Sequence, residues 1–142
     1  MAIRLNDNIT ASGQISEDDI AAIKQQGFAT VVTVRPDGEM AGQPSQEAVG
    51  AAAKAAGLAH HFLPVIPGTP PSVEDAQRFA QIVSEGAPVF AYCGAGPRVI
   101  LLSSLAAAVS GRPIDDIIAE ARDAGFDVSG ARGLLEHMAA ES

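Results

Sequence analysis

Apolar and polar residues alternate in blocks along this chain, and the blocks predict strands and helices in turn. Residues 28–34 are nearly all apolar and rich in β-branched side chains, the pattern of a strand covered on both faces. Residues 60–65 form another strand-like run, and residues 87–92 form one that ends at Cys93. The pattern therefore predicts three strands.

Polar caps and apolar residues at helical spacing predict helices before, between and after these strands. A serine at the start, acids in the first turn and a glycine at the end mark several of them. The predicted helices cover Ser16 to Gly27, 45–56, 72–84, 98–109, 114–123 and 129–140. This alternation favours one α/β domain over residues 1–142, with a mostly parallel sheet flanked by helices on both sides. In such sheets ligands bind at the carboxyl ends of the strands.

Composition and charge narrow the partners that this chain can have. The formal net charge is −8 and the isoelectric point is about 4.6, which argues against nucleic acid or an anionic membrane as partner. No apolar stretch is long enough to cross a bilayer, and the first residues lack the apolar core of a secretory signal. The single cysteine excludes an internal disulfide and favours a reducing cytoplasm. His60 and His61 face opposite ways on a strand, so neither a metal nor another cofactor is expected.

The candidate chemistry lies at the cysteine, Cys93. Gly94, Ala95 and Gly96 follow it, and Arg98 stands where the next helix begins; residues 93–98 are called the cysteine loop below. The N–H groups of such a loop and the N-terminus of a helix bind anions and favour thiolate over thiol. Cys93 is therefore the candidate nucleophile and Arg98 the candidate anion clamp. The candidate substrate-binding residues are those of the loop, the residue after the arginine and an acid in the turn after a strand: Gly94, Ala95, Gly96, Val99 and Asp37.

The spacing between Cys93 and Arg98 bears on which anion the loop fits. Four residues intervene, whereas the phosphate loops of cysteine-dependent phosphatases are longer and carry a serine or threonine after the arginine. The spacing resembles the shorter loop of rhodanese-like sulfur carriers. A shorter loop makes a narrower ring of N–H donors, and Pro97 removes one donor. We therefore expect a persulfide to fit more easily than a phosphoryl group.

The chain resembles the phosphatase-like domain of beta-lactamase hydrolase-like proteins, a family that also carries a sulfur-transferase label and is related to dual-specificity and tyrosine phosphatases. The resemblance extends over essentially the whole chain, including the tail near Phe126, and its matching segments are Ser12-Gly13-Gln14-Ile15, Arg35-Pro36-Asp37-Gly38-Glu39, Gly42-Gln43-Pro44-Ser45, Ala55-Ala56-Gly57-Leu58, Pro64-Val65 and Ala91-Tyr92-Cys93 with Gly96 and Arg98. It implies a tyrosine-phosphatase-like architecture, with Cys93 as nucleophile and Arg98 as clamp. Some relatives are fused to a metal-dependent hydrolase that oxidises persulfides, which implies sulfur chemistry and a persulfide-processing hydrolase as partner.

Departures from the family pattern bear on turnover. Val99 stands where the family tends to have a serine, whose hydroxyl would stabilise the cysteine thiolate as a leaving group. Gly94, Ala95 and Pro97 replace polar loop residues. Residues 64–72 contain no acid that could protonate a departing oxygen, which is the role of an aspartate in such phosphatases.

Three functions stay open on these observations. The sequence favours transfer of sulfane sulfur through a Cys93 persulfide, because that reaction needs no general acid when the leaving group is already a stable anion. The substrate would be a small anionic or sulfane-sulfur compound. Hydrolysis of phosphate monoesters through a phosphocysteine is the first alternative, with Arg98 holding two phosphate oxygens. A domain that binds an anion or a partner without catalysis is the second.

Overall fold

The computed structural model describes residues 2–141, and a five-stranded sheet runs through their centre. In the order β1-β2-β5-β3-β4, its strands are β1 Ala2–Arg4, β2 Ile9–Ser12, β5 Val89–Tyr92, β3 Thr30–Thr33 and β4 Ala59–Phe62. Of these described strands, only β1 runs antiparallel to its neighbour; all other pairs are parallel. The predicted α/β fold with a mostly parallel sheet is confirmed.

The described α-helices follow the predicted pattern closely. They are α1 Ile20–Gln25, α2 Gln46–Ala55, α3 Val73–Ser84, α4 Pro97–Val109, α5 Ile114–Asp123 and α6 Arg132–Ala140. The hydroxyls of Ser45 and Ser72 each accept a backbone N–H from the first turn at 3.1 Å, which sets where α2 and α3 begin. Short 3₁₀ turns precede α1 and α6, so the α-helical part of the first and last predicted helices begins later than expected.

The side chains of β5 show how the sheet is covered on both faces. Val89 and Ala91 join the core formed with α3, α4, α5 and α6, whereas Phe90 and Tyr92 join the core formed with α1 and α2. All four residues are buried, because successive side chains of a strand point to opposite faces. Burying a large apolar side chain contributes roughly 1.5–3 kcal/mol. The strand that leads to Cys93 is therefore held firmly from both sides.

The sequence pattern does not predict β1 and β2. Their sequences, Ala-Ile-Arg and Ile-Thr-Ala-Ser, lack the longer apolar and β-branched runs that mark the predicted strands. In the structure β2 lies between β1 and β5, and its Ile9 and Ala11 are buried. Pairing with β5 therefore makes a strand from a segment with a weak local signal.

The carboxyl ends of β2, β3 and β5 lie side by side, since Ser12 and Thr33 are both in register with Tyr92. Helix α4 begins just beyond this edge and packs between α3 and α6, with eight of its residues buried. It is the longest described helix, with 13 residues, and none of the described helices combines the length and apolarity needed to cross a membrane. The cysteine loop is thus anchored by a buried strand on one side and a buried helix on the other.

Candidate active site

Cys93 lies directly after β5, and its residue has no solvent-exposed area. The backbone N–H of Gly96 donates to its Sγ at 3.0 Å. Gly96 is the N-cap of α4 and has a φ of 112°, a backbone conformation that favours glycine. The chain therefore turns tightly around the sulfur and places it at the N-terminus of α4, where the helix dipole favours negative charge.

Three backbone N–H groups of the cysteine loop have no hydrogen-bond partner within residues 2–141: those of Gly94, Ala95 and Arg98. The first N–H groups of a helix and of the turn before it commonly lack partners, and such groups form anion-binding sites. These donors lie next to Cys93 in the chain and at the start of α4. The loop therefore offers three backbone donors to an anion.

Two residues expected to bind substrate have other roles in the structure. Val99 has no exposed area, and its N–H donates to the carbonyl oxygen of Gly96 at 3.1 Å, so it belongs to the core. Asp37 is exposed, and its Oδ1 accepts the backbone N–H of Gln46 at 2.7 Å. That N–H belongs to the first turn of α2, where backbone N–H groups have no partner within the helix. The structure thus gives Val99 a packing role and Asp37 a helix-capping role, and their expected contact with substrate stays a prediction.

Arg98 is held by Glu39, which lies in the segment after β3. Nη1 and Nη2 of Arg98 donate to Oε2 and Oε1 of Glu39 at 2.8 and 2.9 Å, a bidentate pair. Nε of Arg35 donates to Oε1 of the same carboxylate at 2.8 Å. Nη1 of Arg98 also donates to the carbonyl oxygen of Val65 at 2.8 Å, and Nη1 of Arg35 donates to Oε1 of Gln14 at 3.1 Å. The group formed by Glu39, Arg98 and Arg35 is called the carboxylate bridge below.

The carboxylate bridge lies close to the cysteine loop. A Cβ added to Gly94 would lie 3.1 Å from Nη2 of Arg98 and 3.6 Å from Nε of Arg35, so the absence of a side chain there lets both guanidinium groups approach. The three side chains of the bridge are 10–18% exposed. The hydrogen bond from Arg98 lowers the pKa of Glu39 although burial opposes it, and the bond to Glu39 raises the pKa of Arg98. Glu39 is therefore ionised at neutral pH and is a poor general acid.

Glu39 and Arg35 are the site residues that the sequence pattern did not single out. They appear there only within a segment that matches the family. The sequence does carry a signal for Arg35, because an arginine that follows a buried strand needs an anionic partner. In the structure Arg35 is 8% exposed. No sequence signal indicates that Arg35 and Arg98 share Glu39 as their partner, because Glu39 and Arg98 are 59 residues apart in the chain.

A second polar cluster lies on the opposite face of the sheet from α4. Oγ1 of Thr33 donates to the hydroxyl of Tyr92 at 2.8 Å and lies 2.8 Å from Nε2 of His60. Burial lowers the pKa of His60 and raises the pKa of Tyr92, so both side chains are neutral at neutral pH. His60 thus satisfies a buried hydroxyl. Within residues 2–141, no three His, Cys, Asp or Glu side chains are grouped so that they could hold a metal.

The carboxylate bridge predicts that part of the stability depends on pH. Because folding lowers the pKa of Glu39 from its usual 4.5, the ionised carboxylate stabilises the fold above pH 4.5 and loses this effect as the pH falls through the lowered value. We expect Glu39→Gln to reduce the free energy of unfolding by roughly 1–3 kcal/mol at pH 7. Urea unfolding across a pH series measures the difference from wild type, which should shrink in acid.

The matched control is Glu120→Gln, which removes a carboxylate paired with Arg112 at 3.0 Å on a more exposed part of the surface. It should change the stability by less than about 1 kcal/mol. A Glu39→Gln deficit that persists unchanged at about pH 3 would contradict the assigned role of the bridge.

Known proteins match this chain over most of its length. A family model described as beta-lactamase hydrolase-like protein, phosphatase-like domain, matches residues 3–110. The beta-lactamase hydrolase-like protein of Agrobacterium fabrum (strain C58) is 37% identical over 141 residues, which cover 98% of this chain and 32% of that protein. The protein of the same description from Xylella fastidiosa (strain 9a5c) is 34% identical, with 99% of this chain and 33% of that protein covered. The chain thus spans about a third of the length of these curated relatives.

Solved structures share the architecture. A protein of Neisseria meningitidis Z2491 described as a "putative phosphatase" superposes with a TM-score of 0.78 and 30% identity, with 96% of each chain covered. Tk-PTP in its active form gives 0.75 at 20% identity, covering 99% of this chain and 96% of its own. PTPMT1 gives 0.79 at 14% identity, covering 99% and 95%. The tyrosine-phosphatase-like fold and the family resemblance expected from the sequence are both confirmed.

Proposed function

Because the chain belongs to the family of the phosphatase-like domain of beta-lactamase hydrolase-like proteins, we propose that it is a cysteine-dependent enzyme that transfers sulfane sulfur through Cys93. Sulfane sulfur is the outer, sulfur-bonded atom of compounds such as thiosulfate and persulfides. The family and the fold support a cysteine-nucleophile, phosphatase-like enzyme in general. The choice of sulfur as the transferred group is the specific part of the proposal.

Arg98 keeps donors for a substrate although it is paired with Glu39. Its Nη1 donates to Glu39 and to the carbonyl oxygen of Val65, and its Nη2 donates to Glu39. Because a guanidinium has five N–H groups, the Nε–H and the second Nη2–H remain for two oxygens of an anionic donor such as thiosulfate. The sulfur left on Cys93 is a single atom beside the unpaired N–H groups of Gly94 and Ala95. The observation that carries the choice of sulfur over phosphate is the pairing of Glu39 with Arg98, which keeps that carboxylate ionised.

The leaving group supports the same choice. Glu39 is kept ionised by Arg98, and residues 64–72 contain no acid, so these parts of the site supply no proton to a departing alkoxide. Sulfite, which leaves when thiosulfate gives up its outer sulfur, is stable as an anion and needs no proton. A site without a general acid is therefore suited to this reaction.

The proposed reaction has two displacement steps. The Cys93 thiolate attacks the outer sulfur of thiosulfate, a new S–S bond forms at Sγ, the S–S bond of thiosulfate breaks, and sulfite leaves with its electron pair. An acceptor thiolate then attacks the outer sulfur of the persulfide, and Cys93 leaves as a thiolate that accepts the N–H of Gly96. The zero-valent sulfur passes on unchanged in oxidation state, so no oxidant is consumed. A persulfide-processing hydrolase is the proposed consumer of the product.

Intact-protein mass spectrometry tests the proposal. After incubation with thiosulfate and removal of the excess, we expect a gain of one sulfur atom, and dithiothreitol should return the protein to its original mass. The single cysteine makes the site of the gain unambiguous. The absence of any gain with thiosulfate and with an inorganic polysulfide would exclude sulfur transfer.

Phosphate monoester hydrolysis is the second candidate. Its support is the neighbouring Neisseria meningitidis protein at 30% identity and the unpaired N–H groups of the cysteine loop. The same preparation is assayed with p-nitrophenyl phosphate. Steady hydrolysis by a protein that takes up no sulfur would assign the phosphatase reaction instead.

A further inference from the structure

A mostly apolar cavity borders the candidate active site, and the proposed reaction makes no use of it. Its volume is about 440 Å³, within the range of small-molecule sites. It lies between residues 65–70, the first turns of α4 and the start of α6. Arg98 is the one charged residue of its lining.

Arg98 connects this apolar cavity with the cysteine loop. Its Nη1 donates to the carbonyl oxygen of Val65 in the cavity wall, and its Nη2 lies 3.1 Å from the position of a Cβ at Gly94. A ligand with its anionic end at the cysteine loop therefore has the cavity immediately beside it. The charge arrangement suits a molecule that is anionic at one end and apolar at the other.

The cavity wall carries features that packing within the chain does not explain. Ile66 is 62% exposed, and with Met40 it is one of the two large apolar side chains left exposed within residues 2–141. Gly133 lies in the first turn of α6 and also lines the cavity. A Cβ added there would have no neighbour within 4 Å, so the glycine leaves the cavity open. An apolar ligand would cover Ile66 and use the space beside Gly133.

We propose that the apolar cavity binds an aryl group of the sulfur donor, so that the enzyme prefers aryl thiosulfonates to donors without an apolar arm. The preference rests on the proposed sulfur transfer, whereas binding of an aryl anion to the cavity does not. In this version of the reaction, Cys93 attacks the outer sulfur of the thiosulfonate. The S–S bond of the donor breaks, and an aryl sulfinate leaves with the electron pair.

The experiment compares kcat/KM for p-toluenethiosulfonate and methanethiosulfonate. Each value is divided by the rate constant for the reaction of the same donor with free cysteine, which corrects for the donor's intrinsic reactivity. We expect the aryl donor to exceed the methyl donor by at least about tenfold, from burial of the ring. Gly133→Leu, which fills the open space, should bring this ratio close to one and leave the methyl donor unaffected. Ile66→Asp should also lower the ratio. Met40→Asp is the matched control, since Met40 is 65% exposed and does not line the cavity.

A binding measurement separates the cavity from the reaction. p-Toluenesulfonate and methanesulfonate are titrated into Cys93→Ser and followed by two-dimensional NMR. Tighter binding of the aryl anion, with shifts at Leu101 and Leu134 that Gly133→Leu removes, supports the cavity even if no sulfur is ever taken up. Equal binding of the two anions, or an aryl preference that Gly133→Leu leaves intact, overturns the inference whether or not sulfur is transferred.

Discussion

Replacing Cys93 with serine is expected to abolish sulfur uptake from thiosulfate, with a loss of more than about 10³-fold in rate. A serine hydroxyl is almost fully protonated at neutral pH and forms no persulfide. The fold should survive, because the hydroxyl can accept the N–H of Gly96 that Sγ accepts in the wild type. Intact mass and the rate of sulfite release measure the effect, and thermal unfolding checks the fold.

Wild-type protein alkylated at its single cysteine is the control for the Cys93→Ser experiment. It should behave like the variant and release no sulfite. Sulfite release by a folded Cys93→Ser variant at the wild-type rate would falsify the assignment of Cys93 as nucleophile.

Replacing Arg98 with lysine is expected to lower kcat/KM for thiosulfate by about 10- to 100-fold. Lysine keeps the positive charge but lacks the planar fork, so it cannot hold Glu39 through two parallel bonds of 2.8 and 2.9 Å. The contact with the carbonyl oxygen of Val65 is weakened as well. We also expect a loss of roughly 1–2 kcal/mol in unfolding free energy, since a mostly buried hydrogen-bonded pair is disturbed.

Arg112→Lys is the matched control for this substitution. Arg112 also pairs with a glutamate, Glu120, but through one contact of 3.0 Å and with 41% of its side chain exposed. It should leave both kcat/KM and stability close to wild type. If Arg98→Lys and Arg112→Lys have the same activity, the guanidinium fork of Arg98 is not part of the reaction.

The two substitutions together distinguish the three functions considered from the sequence. Sulfur transfer predicts that Cys93→Ser ends sulfur uptake and that Arg98→Lys reduces it. A phosphatase predicts the same order of effects on aryl phosphate hydrolysis, with no sulfur bound to the wild type. A binding domain without catalysis predicts that wild type shows neither activity and that the variants differ only in stability.

Much of the architecture could be read from local patterns. Helix α5 lies at its predicted limits and α3 begins one residue later than predicted, because acidic first turns, apolar periodicity and the serine cap of α3 are properties of adjacent residues. The thiol at the end of a buried strand, the glycine-containing turn and the helix behind it are likewise consecutive in the chain, so the cysteine loop was visible too.

The parts that were missed depend on residues far apart in the chain. Strand β2 exists because β5 lies beside it, and the carboxylate bridge exists because β3 and β5 are neighbours, which brings Glu39 to Arg98 across 59 residues. Val99 and Asp37 were assigned by proximity in sequence, but the turn of α4 buries Val99 in the core and the start of α2 captures Asp37.

Local sequence thus specified the α/β alternation, the candidate nucleophile and the loop that surrounds it, since these features require only neighbours along the chain. Folding specified what lies around the loop: a carboxylate that occupies the arginine, an acidic residue diverted to a helix cap and an apolar cavity beside Arg98. The physical reason is that charge pairing and cavity shape depend on distances in space, and these are set only when the sheet order and the helix packing are complete.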